Sequence, residues 1–357
     1  MGLGSWGRSL WRVLMDEFDY ELPDEAIAQV AVEPRDSARL LVSGVSDGPS
    51  GHHTVADLPG LLQPGDLVVM NETRVLPARL HLRKETGGKA EVLLLEPTGD
   101  GDWTALVRPG RRMTPGTVLR SDLDPDVRVT VGAVLADGQR SVTITVGGQA
   151  VADVRAADQL TLAGEAPLPP YIHIAAPDPE RYQTVYANSP GSVAAPTAGL
   201  HLTQGTLDAF AARGIETATV DLVVGLDTFR PVMVDDTDDH VMHSEHYSVP
   251  EATLTRCREA RRVVAIGTTT VRALESAARF GLVGRTDLFL SRGSEFKVVD
   301  AMMTNFHMPR STLLIMIDAF IGPQWKSLYR EALDGGYRFL SFGDAMLLTR
   351  DPQSPFR

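Results

Sequence analysis

The sequence contains little cysteine and no long apolar run. Its one thiol, Cys257, excludes an internal disulfide framework and a thiolate metal cluster. Its setting at 255–259, between two arginines, predicts an exposed stretch of helix rather than a catalytic thiol. The longest apolar runs, such as 313–317, fall far short of the ~20 residues that a membrane-spanning helix requires. Residues 1–14 lack the apolar segment and cleavage site of a signal peptide, so we expect a loose extension on a cytoplasmic protein.

Positive charge is also scarce. The 357 residues include 34 Lys and Arg against 46 Asp and Glu, a net charge of −12. This balance excludes a protein that coats nucleic acid through bulk positive charge, although docking responds to the local field. Residues 79–120 hold eight basic and five acidic side chains, so their local balance is 8 − 5 = +3. Arg108, Arg111 and Arg112 share one turn there, which suits contact with phosphates; a solvated surface of mixed charge is the alternative.

The order of predicted elements indicates an α/β protein with an insertion. Between about 75 and 154, short β-rich runs alternate with Gly, Pro or Asp turns, which predicts a small antiparallel barrel or sandwich. On either side, strands at 39–43, 66–70, 217–224 and 263–266 alternate with helices at 203–213, 251–262, 271–280 and 311–321, and a short helix is expected at 22–30. We therefore predict a split α/β/α layered domain with a mixed sheet (15–74 and 156–357) that carries an inserted β-barrel domain (75–155).

A buried strand followed by a Gly-Thr turn and a helix spans 263–275. Gly267 permits a tight turn, and Thr268, Thr269 and Thr270 add hydroxyl groups to the amides of a helix N-terminus, which binds carboxylates or phosphates. The alternative is an ordinary threonine N-cap. Arg272 and Glu275 lie three residues apart, which predicts an ion pair on one face of the helix.

Two histidines lie in turns that lead into helices. His201 follows Pro196, Thr197 and Gly199, which suggests a shaped backbone near a ligand, although a lone histidine is more often structural. His307 belongs to the connection before the helix at 311–321. Asn305 and Phe306 precede it in the same connection, and the Phe306 ring is expected either to stack on a base or to fill the core. At 71–79, polar side chains follow the strand that leads into the barrel, a suitable place for a cleft.

The histidines at 240, 243 and 246 raise the possibility of zinc. Their spacing of three residues gives three convergent ligands neither on a helix nor on a strand. An acid–base pair of His243 and Glu245 is the better interpretation, and a solvated acidic loop is the plainest one. A metal-dependent hydrolase using these histidines is kept as an alternative function, although no metal site is predicted.

Nine stretches together resemble one family, the S-adenosylmethionine:tRNA ribosyltransferase-isomerases of queuosine biosynthesis. They follow one another in the family's order across residues 15–350, and nine in register make the resemblance specific. The stretches are FDYELP at 18–23 with IAQ at 27–29, NETRVLPAR at 71–79, LPPYI at 168–172, RYQTVYA at 181–187, APTAGLH at 195–201, HVMHSE at 240–245, GTTTVRALES at 267–276, TNFHMPRSTLL at 304–314 and YRFLSFGDAM at 337–346. The chain departs from the family pattern at Glu72 (usually Asp), Asp227 (usually Gly) and Leu202 (usually Phe).

The resemblance implies a reaction and a set of site residues. The ribosyl group of S-adenosylmethionine, a consumed substrate and not a cofactor, would pass to 7-aminomethyl-7-deazaguanine at the wobble position of a tRNA, giving epoxyqueuosine, adenine and methionine. The expected catalytic residues are His201, His243, Glu245 and His307. The expected substrate-binding residues are Asn71, Thr73, Arg74, Tyr182, Gln183, Pro196, Thr197, Gly199, Gly267, Thr268, Thr269, Arg272, Asn305 and Phe306. Arg108, Arg111 and Arg112 are expected to bind the tRNA, and we expect a monomer with no membrane partner. A non-catalytic RNA-binding module using the barrel is a further alternative, which the elaborate α/β part argues against.

Overall fold

The description rests on a computed structural model. It describes residues 13–43, 50–110, 113–153, 156–174, 178–225 and 232–350. Asp227 lies outside these ranges, as do Arg111 and Arg112.

The described chain contains nineteen strands and six α-helices. The strands are β1 Arg39–Val42, β2 Gly51–Thr54, β3 Asp66–Asn71, β4 Thr73–Val75, β5 Arg79–Lys84, β6 Lys89–Pro97, β7 Asp102–Arg108, β8 Val118–Ser121, β9 Val127–Val134, β10 Arg140–Val146, β11 Gln149–Ala150, β12 Gly164–Glu165, β13 Ser189–Ser192, β14 Glu216–Leu222, β15 Glu245–Ser248, β16 Arg262–Ile266, β17 Val283–Thr286, β18 Ala301–Asn305 and β19 Ala345–Thr349. The helices are α1 Leu58–Leu61, α2 Gln204–Ala212, α3 Glu251–Glu259, α4 Thr268–Phe280, α5 Thr312–Ile321 and α6 Trp325–Asp334.

A nine-stranded mixed sheet forms the larger part, in the order β17-β15-β14-β3-β16-β18-β19-β1-β2. β3 pairs in parallel with β14 and β16, and β16 pairs in parallel with β18. All six residues of β3 are buried, as expected for a central strand covered on both faces. Because these four strands run in the same direction, the chain leaves all of them at one edge, close to Asn71, Leu222, Ile266 and Asn305.

Six strands close into an antiparallel barrel. β10, β7, β6, β5, β8 and β9 pair in that order, and β9 pairs back to β10. Buried and exposed residues alternate along β7, as a strand with one face toward a core requires. Trp103 fills that core, and its indole N–H donates to the carbonyl of Val151 at 2.7 Å. The predicted fold class, a mixed α/β sheet with a small antiparallel barrel, is confirmed; the domain boundaries stay a prediction.

Three local predictions are wrong. Residues 22–30 form only a three-residue 3₁₀ turn, Asp24–Ala26, since the chain extends on both sides of it. Cys257 is on the predicted helix, α3, but is 7% exposed, because it shares the inward face with Leu254. Val13, expected in a loose extension, is buried in the core, and its carbonyl accepts a hydrogen bond from the Thr237 amide at 3.1 Å.

Candidate active site

A cleft opens at the edge of the sheet where the parallel strands end. The space between its walls, open solvent included, is about 630 Å³. Open α/β sheets bind ligands at this edge. The cleft contains eight of the residues predicted for the site, and they come from three separate stretches of chain. These eight are Pro196, Thr197, Gly267, Thr268, Thr269, Asn305, Phe306 and His307.

The start of α4 forms one wall of the cleft. Gly267 is the N-cap with φ +89°, which favours glycine, and a Cβ there would lie 3.5 Å from the Cβ of Ala198. Thr268 and Thr269 line the cavity, whereas the Thr270 hydroxyl donates to the Ile266 carbonyl at 2.7 Å. The helix therefore has a glycine N-cap with no side-chain cap, and the threonine N-cap interpretation is wrong.

His307 lies in the cleft and is held by its backbone. Its amide donates to the Tyr329 hydroxyl at 3.0 Å, and its carbonyl accepts from the Tyr20 hydroxyl. In the ring, Nε2 forms a hydrogen bond with Thr304 Oγ1 at 3.0 Å. Burial lowers the pKa of His307 to about 3, so the ring is neutral at pH 7. A neutral imidazole fixed by one hydrogen bond can accept a proton at its other nitrogen.

His201 lies behind the cleft rather than in it. It ends the 3₁₀ turn Thr197–His201, and its Nε2 accepts a hydrogen bond from Asn305 Nδ2 at 3.0 Å. The same Asn305 accepts from the Thr197 hydroxyl at 3.2 Å. Burial, reinforced by the charges of nearby arginines, lowers the pKa of His201 to about 3. His201 therefore orients Asn305, while Asn305 itself faces the cavity.

Gly199 is required by packing. A Cβ at this position would overlap the Tyr186 hydroxyl and lie 2.9 Å from Thr184 Cγ2. The glycine lets the 3₁₀ turn approach the stretch 184–186, and this places Pro196 and Thr197 at the cleft.

Asn71 and Thr73 connect backbone segments instead of lining the cleft. The Asn71 side chain bonds the backbone of Leu222 at 3.0 and 3.1 Å and donates to Thr269 Oγ1 at 3.3 Å. The Thr73 hydroxyl bonds that of Ser192 at 2.7 Å. Both side chains fix the strand ends around the cleft.

Arg74, Tyr182 and Gln183 also lie outside the cleft. Arg74 pairs with Glu180 at 2.7 Å on the surface. The Gln183 amide bonds both backbone groups of Val75, at 3.0 and 2.9 Å. Tyr182 is buried against Phe342, edge to face at 6.0 Å. Their contacts hold β4 in place.

Phe306 belongs to a cluster of aromatic rings. Its ring stacks on Phe339 at 4.7 Å and meets Tyr329 and Tyr337 edge to face. The residue is completely buried, so its ring supports the floor of the cleft as part of the core.

Arg272 and Glu275 have separate partners. Arg272 forms a buried ion pair with Glu245 of β15 and donates to the Thr286 carbonyl at 3.3 Å. Glu275 accepts from Arg279 at 2.5 Å and from the amides of 297–299. The predicted Arg272–Glu275 pair is therefore wrong, because each side chain is drawn to a different neighbouring segment.

His243 and Glu245 line a second cavity, at the junction between the sheet and the barrel. This junction cavity holds about 1220 Å³ of open space, and Val224 borders both it and the cleft. Glu245 also accepts a hydrogen bond from the Gly225 amide at 2.8 Å. Arg285 crosses the junction to Glu96 of the barrel at 2.9 Å.

The three histidines at 240–246 do not converge. Glu245 is buried and His246 exposed on successive positions of β15, so they point to opposite faces, while the His240 ring lies against Phe289 at 5.6 Å. Within the described ranges, no three His, Cys, Asp or Glu side chains are placed to hold a metal ion. The side-chain arrangement gives no support to a metal-dependent hydrolase.

Arg108 ends strand β7 of the barrel and is exposed. Arg111 and Arg112, predicted to act with it, lie outside the described residues.

The sequence interpretation missed several residues of the cleft. Tyr171 and Ser341 bond each other through their hydroxyls at 2.7 Å, and burial raises the pKa of Tyr171 to about 12. Met308 and Leu313 add apolar surface. The signal was available, because these residues fall within three of the nine family stretches. In the described part of the chain, no helix is both long and apolar enough to cross a membrane.

Known proteins similar to this chain all point to one family. A family model described as "Queuosine biosynthesis protein" matches residues 15–348. The chain is 47% identical to the S-adenosylmethionine:tRNA ribosyltransferase-isomerase of Synechococcus elongatus, over 96% of this chain and 97% of that protein. It is 48% identical to the protein of that name from Anaeromyxobacter dehalogenans, over 94% and 99% of the two chains.

A solved structure agrees. The crystal structure of an S-adenosylmethionine tRNA ribosyltransferase from Thermotoga maritima superposes with a TM-score of 0.52 at 37% identity, covering 93% of this chain and 99% of that one. The chain therefore belongs to the S-adenosylmethionine:tRNA ribosyltransferase-isomerase family of queuosine biosynthesis.

Proposed function

We propose that this protein is the tRNA-modifying enzyme that its family implies. It transfers and isomerises the ribosyl group of S-adenosylmethionine onto 7-aminomethyl-7-deazaguanine at the tRNA wobble position. The products are epoxyqueuosine-tRNA, adenine and methionine. The observation that carries the proposal is the cleft at the sheet edge, where family stretches 195–201, 267–276 and 304–314 meet around a neutral histidine, His307.

The chemistry requires a base beside the sugar. A five-carbon sugar becomes a five-membered carbocycle, so a bond must form between C1′ and C5′. C5′ must therefore act as a nucleophile, and the adjacent sulfonium acidifies its protons. We assign His307 to take one, because it lines the cleft and its ring is fixed there by the hydrogen bond between Nε2 and Thr304 Oγ1. His201 is less suited, since it lies behind Asn305 and does not line the cleft.

The departing groups also need help. The bonds from C1′ to adenine, from C5′ to sulfur and from C4′ to the ring oxygen must break, while the amine of the base bonds C4′ and loses a proton, and the ring oxygen closes the epoxide across C1′ and C5′. Adenine leaves more easily when a donor bonds its ring. Tyr171 is suited to donate, because it lines the cleft, where the Ser341 hydroxyl bonds its own hydroxyl, and a tyrosine is protonated at neutral pH. We assign Tyr171 to the adenine and His307 to C5′.

The tRNA is proposed to enter from the junction between the barrel and the sheet. The junction cavity adjoins the cleft at Val224, so a wobble base there would lie next to the sugar. We expect Arg108, exposed at the end of β7, to contact an anticodon-stem phosphate together with Arg111 and Arg112, which follow it in sequence. We further propose a monomer that acts in the cytoplasm.

Replacing the two buried histidines tests the assignment. The assay measures adenine released from S-adenosylmethionine in the presence of precursor tRNA. We expect His307→Gln to lose at least about 100-fold in kcat, a typical contribution of a general base. His201→Gln is the matched control, equally buried but behind the cleft, and should retain more activity. Equal turnover by His307→Gln and the wild type would overturn the assignment of the base.

A further inference from the structure

We propose that the first turn of α4 binds the α-carboxylate of the methionyl part of S-adenosylmethionine. The inference rests on the proposed function and names the subsite that holds one end of the substrate. Its ligand is a carboxylate, and its polar contacts are the hydroxyls of Thr268 and Thr269 with the free amides of the helix start.

Two helices begin at the same cleft. α4, with thirteen residues, presents Thr268 and Thr269, and α5, with ten, presents Leu313 beside its N-cap Ser311. The Ser311 hydroxyl already caps α5 by accepting from the Leu314 amide at 3.3 Å. The start of α4 has no side-chain cap, so its first amides remain available. Both helix dipoles place partial positive charge at this point.

The hydroxyl of Thr268 points to a ligand independently of the helix. Thr268 is only 5% exposed and lines the cavity, yet its hydroxyl forms no hydrogen bond with any residue of the described ranges. Thr269 is 7% exposed, and its oxygen accepts from Asn71, which leaves its own proton to donate. The Thr268 hydroxyl, without a protein partner in those ranges, and the remaining proton of Thr269 therefore face one cavity, and together they indicate an acceptor there.

The remaining walls favour a single carboxylate. Among the described residues that line the cleft there is no Asp, Glu, Lys or Arg, so neutral donors and helix dipoles alone would balance the anion. A backbone phosphate of RNA is flanked by two riboses, and the strong burial of both threonines leaves little room for them. A terminal carboxylate meets no such obstacle.

This placement also orients the rest of the substrate. With the carboxylate at the positive ends of two helices, the sulfonium must lie away from them. His307 lines the same cleft on the segment that joins β18 to α5. The carboxylate contact would therefore hold C5′ at a fixed distance from the base, using a part of the substrate that does not react.

The test replaces one hydroxyl by a methyl group. Thr268→Val keeps the shape of the side chain and removes the donor, and we expect KM for S-adenosylmethionine to rise about 10- to 100-fold. KM for tRNA should not change. Thr270→Val is the matched control on the same turn, because its hydroxyl bonds the Ile266 carbonyl and does not line the cleft. It should leave KM for S-adenosylmethionine unchanged.

Decarboxylated S-adenosylmethionine, which lacks the α-carboxylate, provides the matching change on the side of the ligand. The wild type should bind this analogue more weakly than the parent compound, and Thr268→Val, which keeps the Thr269 hydroxyl and the helix amides, should show a smaller preference for the parent compound. A Thr268→Val enzyme with an unchanged KM for S-adenosylmethionine would overturn the inference. So would a variant that prefers the parent compound over the analogue by the same factor as the wild type. A rise in KM for tRNA alone, with a smaller salt dependence, would assign the site to a phosphate instead. A wild type that releases no adenine would refute the proposed function, a result distinct from all of these.

Discussion

Acidification should destabilise this protein through its two buried histidines. His201 and His307 each have a folded-state pKa of about 3, because both rings are buried. In the unfolded chain a histidine titrates near pH 6.5. Between these values the unfolded state binds more protons than the folded state, so stability is complete above about pH 6.5 and falls as the pH drops toward 3.

The size of the effect follows from the two pKa values. For one histidine with a pKa of about 3 folded and about 6.5 unfolded, the loss of stability between pH 7 and pH 5 is about 2 kcal/mol. Because His201 has the same folded pKa, the two together remove about 4 kcal/mol over that interval. This loss is a large part of the free energy of unfolding of a typical folded protein, which is roughly 5–15 kcal/mol.

Urea unfolding at pH 7 and pH 5 measures this loss. His307→Gln and His201→Gln should each reduce the difference in unfolding free energy between the two pH values by about 2 kcal/mol. Groups such as Asp221 and His240, whose pKa values are also shifted, are common to the wild type and both variants, so they cancel in the comparison. Variants that lose as much stability on acidification as the wild type would refute the reasoning, because the rings would then be able to take up protons in the fold.

Three further predictions follow from the contacts. Arg272→Met leaves Glu245 buried without its cation, and urea unfolding should show a loss of about 3–5 kcal/mol, partly restored by adding Glu245→Leu; a loss under 1 kcal/mol would contradict the burial of the pair. Gly199→Ala should lower the free energy of unfolding by about 1–3 kcal/mol through overlap with the Tyr186 hydroxyl, and Tyr186→Phe should relieve it; no relief would place the strain elsewhere. Arg108→Ala should weaken tRNA binding and reduce the slope of log K against log salt by about 1, and an unchanged slope would rule out the contact.

Local patterns predicted much of the fold. The six barrel strands, β3, β16 and α4 could all be recognised, because each has a periodicity or a turn of its own. Helix α6 was missed, although its buried residues Trp325, Leu328, Tyr329 and Ala332 have helical spacing. The burial of Cys257 could have been inferred in the same way, since Leu254 and Cys257 lie three residues apart on one helix face.

Contacts between segments that are distant in the chain could not be predicted from the sequence. Arg272 pairs with Glu245, 27 positions away, only because α4 packs beside β15, so spacing along one helix could not reveal it. His201 and His307 have similar settings in the chain, yet one is behind Asn305 and the other faces the cleft. What separates them is the arrangement of β18 against the turn at 197–201, a property of the tertiary fold.

The products formed by the wild type test the central claim most directly. The protein is incubated with S-adenosylmethionine and a tRNA that carries 7-aminomethyl-7-deazaguanine at the wobble position, and both the small molecules and the modified nucleoside are analysed by mass spectrometry. We expect release of one adenine and one methionine for each tRNA, with a mass gain on the wobble base equal to the transferred ribosyl unit. Transfer of a methyl group, with S-adenosylhomocysteine as the product and no adenine released, would contradict it.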